Sequence, residues 1–308
     1  MSLTSFGPGK VILLGEHAVV YGAPALAGAL QRGVRAVGIP STDTRLQLPK
    51  GLKARMRAQL NEAFEAAAEA TGRPAIKVAL ESDLPISMGL GSSAALSVAV
   101  SRLLLRAAGR RDDARSVSGV ALQMEQRFHG TPSGVDHACS VAGGLISYRR
   151  RPGAASGRAQ RLAVHSPLHL AVLLVGERSP TRTTVASLRE RKARWPERYE
   201  RLFREIGRTA VDGHRALAED DLAGLGDAMN VNHGLLVALG LSSASLDAAV
   251  HGLRAQGALG AKLTGAGGDG GAVIGLFERP AQALRAIERS GLPGFSSTLT
   301  ACGEEQPS

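Results

Sequence analysis

The clearest chemistry in the sequence lies in one stretch, Asp83-Leu84-Pro85-Ile86-Ser87-Met88-Gly89-Leu90-Gly91-Ser92-Ser93-Ala94-Ala95. Its glycines let backbone approach a ligand that a Cβ would push away, and its two last serines stand where an apolar helical run begins. N–H groups and hydroxyls therefore converge on one point. The unpaired amides of a helix start carry roughly half a positive charge, which suits phosphate oxygens, and Ser92 or Ser93 can also ligate a phosphate-bound metal. Such a site still needs a nucleophile, a charge clamp and a base. The rest of the chain has to supply them.

These residues need elements to hold them. A glycine-bounded apolar run at 11–14 reads as a strand, and further β-like runs lie at 34–39, 76–80, 169–175 and 272–277. Met56, Leu60, Phe64 and Ala67 recur at helical spacing and stop at Gly72. From Ser93, Leu96, Val100, Leu103 and Leu104 trace an amphipathic helix to Gly109, with Arg102 and Arg106 opposite. A second helix is expected over 114–129, where Val117, Ala121, Met124 and Phe128 form a stripe and Glu125 flanks it. Residues 131–137 read as a turn presenting Asp136. The breaker-rich stretch 149–157 suits an exposed hairpin or a domain edge, and a charged helical region follows over 182–208, interrupted near Pro196. Further helices are expected at 222–239 and 242–256, and residues 260–271 read as a second glycine loop. Strands and helices alternate without βαβ regularity.

Composition bounds the rest. At 308 residues the chain has room for about two domains, and 44% hydrophobic with 21% charged residues is globular. Aromatics are only 3%, so the core must be mostly Ala, Leu and Val. The net charge of +10 comes from 37 basic residues, only six of them lysine, spread along the chain rather than clustered with aromatics. That distribution argues against a nucleic-acid module. Two distant cysteines, Cys139 and Cys302, give neither a disulfide framework nor a zinc knuckle and fit a reducing cytoplasm. No signal-peptide pattern and no run of about 18 apolar residues is seen, so a soluble, cytoplasmic protein without a membrane partner is expected.

Both glycine stretches superficially match dinucleotide fingerprints. That motif requires strand, loop, then helix; residues 265–270 precede a strand, and Pro85 with several polar residues separates the first loop from its strand. The Gly-x-x-x-x-Gly-Lys-Ser/Thr pattern is absent as well.

What remains, in order and spacing, resembles the GHMP kinases, and among them the mevalonate kinases. Pro8-Gly9-Lys10-Val11-Ile12-Leu13-Leu14-Gly15-Glu16-His17-Ala18-Val19-Val20-Tyr21-Gly22 looks like the first motif. Leu84-Pro85 with Gly89-Leu90-Gly91-Ser92-Ser93-Ala94-Ala95 is similar to the second, and Lys262-Leu263-Thr264-Gly265-Ala266-Gly267-Gly268 to the third. The stretch from Glu125 to Asp136 also matches, and Asn230-Val231-Asn232-His233 with Leu239-Gly240 echoes the family's helical second half.

The resemblance implies a two-domain α+β fold, residues 1–165 and 166–308, with the active site in the cleft between domains. It implies ATP-dependent phosphorylation of (R)-mevalonate, with Mg²⁺, in a homodimer. Ser82, Ser87, Met88, Gly89, Leu90, Gly91, Ser92 and Ser93 would contact the nucleotide; Ser93 and Glu125 would ligate Mg²⁺. Asp136 matches the base and Lys10 the lysine that pairs with it and with the phosphoryl group; Glu16 and His17 join them on the substrate. A cation beside Asp136 favours its carboxylate form, so orientation of the hydroxyl is a large part of its service. For Lys262 and Thr264, loop shaping and ligand contact are equally open. Asp269 departs from an otherwise all-glycine loop and is expected to point outward. Alternatives are a sibling kinase acting on phosphomevalonate or another small alcohol, a non-catalytic ligand sensor on this scaffold, and a dinucleotide oxidoreductase.

Overall fold

A computed structural model of the chain describes residues 2–49, 51–85, 88–129, 133–150, 157–176 and 181–300. The chain begins with β1 (Leu3–Leu14), a 3-10 turn (Ala18–Tyr21), β2 (Pro24–Pro40), β3 (Arg45–Gln47), α1 (Ala54–Thr71) and β4 (Ile76–Ser82). Three helices follow, α2 (Ser92–Ala107), α3 (Ala114–His129) and α4 (Val135–Ala142), then β5 (Leu145–Arg149), β6 (Arg158–Arg161) and β7 (Leu168–Val175). The remainder comprises α5 (Thr181–Arg194), α6 (Pro196–Ala218), α7 (Leu222–Ala238), α8 (Ala244–Ala255), β8 (Gly260–Thr264), β9 (Gly271–Phe277), α9 (Pro280–Ser290) and β10 (Gly294–Leu299).

Two compact units are interleaved along this chain rather than joined end to end. One comprises Met1–Gly9, Arg32–Leu84 and Gly91–Ala142; the other comprises Lys10–Gln31, Pro85–Leu90 and Gly143–Ser308. Both β1 and β2 contribute residues to each unit.

In the first unit β4 pairs in parallel with β3 and antiparallel with the later part of β2, with Ala36 opposite Leu80. The helix α2 is its centre. The sequence suggested an amphipathic helix, but Ala94, Ala95, Val98, Ala99, Val100, Leu103, Leu104 and Leu105 are all buried, as are Ser97 and Ser101. Burial on several faces follows because α1, α3, α4 and β4 all pack on it. Each fully buried leucine contributes about 2 kcal/mol. Arg102, half-buried, reaches over this core and donates to the Phe6 carbonyl at 2.6 Å and the Val141 carbonyl at 3.0 Å, tying β1 and α4 to α2. At Gly7 of β1 an added Cβ would lie 2.0 Å from the Ala95 carbonyl oxygen. Gly7→Ala is therefore expected to cost about 1–3 kcal/mol, read as a lower urea midpoint at unchanged m-value.

In the second unit the strand order is β10-β7-β9-β8, all antiparallel, with Val172 opposite Ile274 and Leu263 opposite Val273. The helices α8 and α9 bury Leu246, Val250, Leu253, Ala283 and Ala286 with Leu173, Val273 and Phe277. The edge strand β8 meets α7, which supplies partners for its outer amides. Asn230 accepts from the Ala261 amide at 3.0 Å and donates to the Leu259 carbonyl at 3.2 Å, and His233 Nδ1 accepts from the Leu263 amide at 3.5 Å. An edge that would otherwise expose backbone donors is closed by side chains. The earlier part of β2 pairs with β5, which pairs with β6, so a hairpin does flank the breaker-rich stretch, whose residues 151–156 lie outside the described residues.

Two local expectations are corrected. Residues 260–264 are not loop but the strand β8, since Ala261, Lys262, Leu263 and Thr264 are buried in the sheet and held by Asn230 and His233. Asp136 sits not in a turn but in the first turn of α4, which starts directly after Gly134 at φ 88°. No described helix is long and apolar enough to cross a membrane.

Candidate active site

The phosphate-type loop is shaped by left-handed glycines. Gly89 has φ 83°, and Gly91, at the N-cap of α2, has φ 75°, a conformation that side chains disfavour. Ser92 and Ser93, both half-buried, form the first positions of α2. Leu90 is buried beneath the loop and Met88 is half-buried. Ser82 ends β4 with an exposed side chain whose hydroxyl accepts from the Leu84 amide at 3.2 Å, so it braces the loop's entry. Ser87 lies outside the described residues.

Within the first unit, α2, α3 and α4 bring together Ser93, Glu125 and Asp136. Glu125 is 2% exposed and accepts from the Ser97 hydroxyl at 3.0 Å, with Ser93 also hydrogen-bonded to it. Burial pushes its carboxyl up to about 7, and the charge of Asp136 adds to the rise, while the Ser97 and Ser93 hydroxyls hold it back. Ser97 was not foreseen. It lies four residues after Ser93, on the same side of α2, and that spacing inside an apolar run was the available signal.

These atoms fit a magnesium ion. A buried carboxylate with hydroxyls on it and a second carboxylate acting on it is a donor set whose ionised form is costly until a cation arrives. Among the described residues no group of three or more His, Cys, Asp or Glu could hold a metal by itself. That suits an ion whose remaining ligands are phosphate and water.

Within the second unit lie Lys10, Glu16, His17, Lys262 and Thr264. Lys10 is 2% exposed; its amide donates to the Leu90 carbonyl at 2.9 Å and its Nζ to the Gly89 carbonyl at 3.0 Å. The ammonium is thus fixed directly on the glycine loop. Glu16, buried, receives a hydrogen bond from fully buried Lys262, whose Nζ also donates to the Leu263 carbonyl at 2.8 Å and the Ile12 carbonyl at 3.4 Å. Burial pushes the Glu16 carboxyl up and the Lys262 ammonium down, and their mutual attraction opposes both shifts. Thr264 Oγ1 accepts from the Ile12 amide at 2.8 Å and donates to the Ile12 carbonyl at 3.1 Å, so the first and third glycine-bearing motifs are bonded to each other. Of the two roles left open for Thr264, shaping is what these bonds perform. His17, with φ 60°, places Nε2 3.0 Å from the Ala266 carbonyl. Asp269 is exposed.

The first unit supplies helix-start amides for an anion and two carboxylates of unlike surroundings, and the second supplies a lysine bonded to the Gly89 carbonyl. Those are the parts phosphoryl transfer needs.

Comparisons with known proteins agree. Residues 58–144 match the model for the GHMP kinases N terminal domain, and residues 214–291 match that for GHMP kinases C terminal. The mevalonate kinase of Pyrococcus horikoshii is 33% identical over 292 residues, covering 85% of both chains. That of Aeropyrum pernix is 33% identical over 311 residues, covering 95% of this chain and 94% of the other. The crystal structure of L. major mevalonate kinase in complex with R-mevalonate superposes with a TM-score of 0.84 at 29% identity, covering 97% of this chain and 96% of that one.

Proposed function

The chain belongs to the GHMP kinases, and from that premise we propose that it transfers the γ-phosphoryl group of ATP to the C5 hydroxyl of (R)-mevalonate. The products are ADP and (R)-5-phosphomevalonate, within isoprenoid synthesis by the mevalonate pathway. The observation that carries this reading is the meeting of Ser93, Glu125 and Asp136 at the start of α2, in a chain about a third identical to mevalonate kinases over most of its length.

The chemistry follows from the residues. Amides at the start of α2 bind the phosphates, and the Lys10 ammonium, on the Gly89 carbonyl, neutralises charge on the phosphoryl group in flight. The C5 oxygen attacks phosphorus as the bond to the β-phosphate oxygen breaks, and the hydroxyl proton passes to the Asp136 carboxylate. Ser93 and Glu125 would hold Mg²⁺, which when bound shields phosphate charge. His17, half-buried beside the third motif, would contact the substrate. A homodimer, and a division of the sequence into domains near residue 165, complete the reading; the two family matches fall on either side of that point.

A coupled ADP-release assay across mevalonate, phosphomevalonate, galactose and homoserine tests it. Mevalonate is expected to give the largest kcat/KM, by about 100-fold or more, because a site built to pair a particular set of polar groups rejects analogues that leave them unpaired. A larger value for another alcohol would reassign the substrate.

A further inference from the structure

We propose that Lys262 is a positioning residue: it neutralises Glu16, and so keeps the Lys10 ammonium on the glycine loop instead of on that carboxylate. The activity arm rests on the kinase reading above; the structural arm does not.

Lys10 and Glu16 are six residues apart in one motif, and both are buried, at 2% and 1% exposure. Their charges act on one another, and Lys10 also acts on Lys262. The charges of two ammoniums thus act on one buried carboxylate in a poorly solvated site, where attraction is strong. The structure divides them. Lys262, arriving on β8 from 246 residues away, takes Glu16, and its remaining donors go to the Leu263 and Ile12 carbonyls. All three ammonium donors are therefore committed. Lys10 Nζ donates to the Gly89 carbonyl at 3.0 Å.

The second Glu16 oxygen, Oε2, is buried and accepts no hydrogen bond from the described residues. Without Lys262 the carboxylate would lose its cation while staying buried, and an uncompensated buried charge is costly enough to recruit a neighbouring cation. Lys10 is that neighbour. An ammonium suits the position because three separate acceptors lie around a point charge, whereas a planar guanidinium needs a fork. The chain, with only six lysines among 37 basic residues, has lysine at both places. The Glu16 carboxylate thus acts inside the protein, joining the first and third motifs, in addition to the substrate role that the sequence suggested.

Three variants test this: Lys262→Met, Glu16→Gln and the double variant, each by steady-state kinetics corrected for folded fraction and by crystallography. Lys262→Met is expected to lower kcat about 10- to 100-fold while KM for ATP changes less than about threefold, and its crystal structure should show Lys10 Nζ bonded to Glu16. In the double variant Lys10 should return to the Gly89 carbonyl, with kcat about tenfold or more above Lys262→Met. Lys10 still on Gly89 in Lys262→Met, or no recovery in the double variant, overturns the proposal. If Lys262→Met does not fold, Glu16→Gln and the double variant decide. Rates within about threefold of each other support a purely neutralising lysine, and a further loss of about tenfold defeats it. A wild type that phosphorylates no mevalonate would refute the kinase reading, while the position of Lys10 would still decide this one.

Discussion

Asp136→Asn is expected to lower kcat for mevalonate by about 10³-fold, with KM for ATP close to wild type. The carboxylate sits in the first turn of α4, where the helix start favours negative charge, and it acts electrostatically on Glu125. An amide keeps the shape and can still hydrogen-bond the hydroxyl, but it cannot accept the proton. Binding of nucleotide should persist, because the loop amides and Lys10 are untouched. Equilibrium binding of ATP alongside single-turnover rates separates the two effects. A rate within about tenfold of wild type would remove Asp136 from proton transfer and leave it only an orienting role.

Glu125→Gln is expected to have two opposite effects. With Glu125 in the proposed role of Mg²⁺ ligand, activity should fall by about 10² to 10³-fold, since a neutral amide binds the ion poorly. Stability of the ligand-free protein should rise at alkaline pH. With a carboxyl raised from 4.5 to about 7, the folded state keeps a proton that the unfolded chain has released between those values. Wild type therefore loses stability as pH climbs through that window, and the loss is complete above pH 7. The full contribution is on the order of 3 kcal/mol. Urea melts of both proteins should coincide near pH 4.5 and diverge by pH 8, with the variant the more stable. Parallel pH profiles would mean that Glu125 does not carry this shift.

Much of the fold was legible in the chain. Helix α3 runs over the span its stripe of Val117, Ala121 and Met124 dictated, and β7 and β9 follow from apolar runs beside glycines. The serines of the second motif do open α2. Other features depend on partners remote in sequence. Gly260 to Thr264 reads as loop because of Gly260 and the glycines that follow from Gly265, and becomes strand because β9 and α7 satisfy it on either side. Helix α4 is only eight residues and follows turn-forming residues, so local propensity favours the turn. The pairing of Glu16 with Lys262 spans 246 residues and leaves no periodic trace. Ser97 was visible as a residue, but its bond to Glu125 requires knowing that α2 and α3 pack together.

The interleaving of the two units has a consequence for how the protein is made. Everything belonging to the unit that ends at Ala142 has left the ribosome once that residue emerges. Lys10–Gln31 and Pro85–Leu90 are synthesised early but belong with chain that starts at Gly143. Leu14 and Leu26 from the early segment are packed against Gly213 of α6, and Ile12 bonds to Thr264. At about 5–20 residues per second, those early strands wait some tens of seconds for their partners. Over that interval the apolar early stretch is the natural client of a holding chaperone, and a truncated chain beginning at residue 143 would be born without part of its own interior.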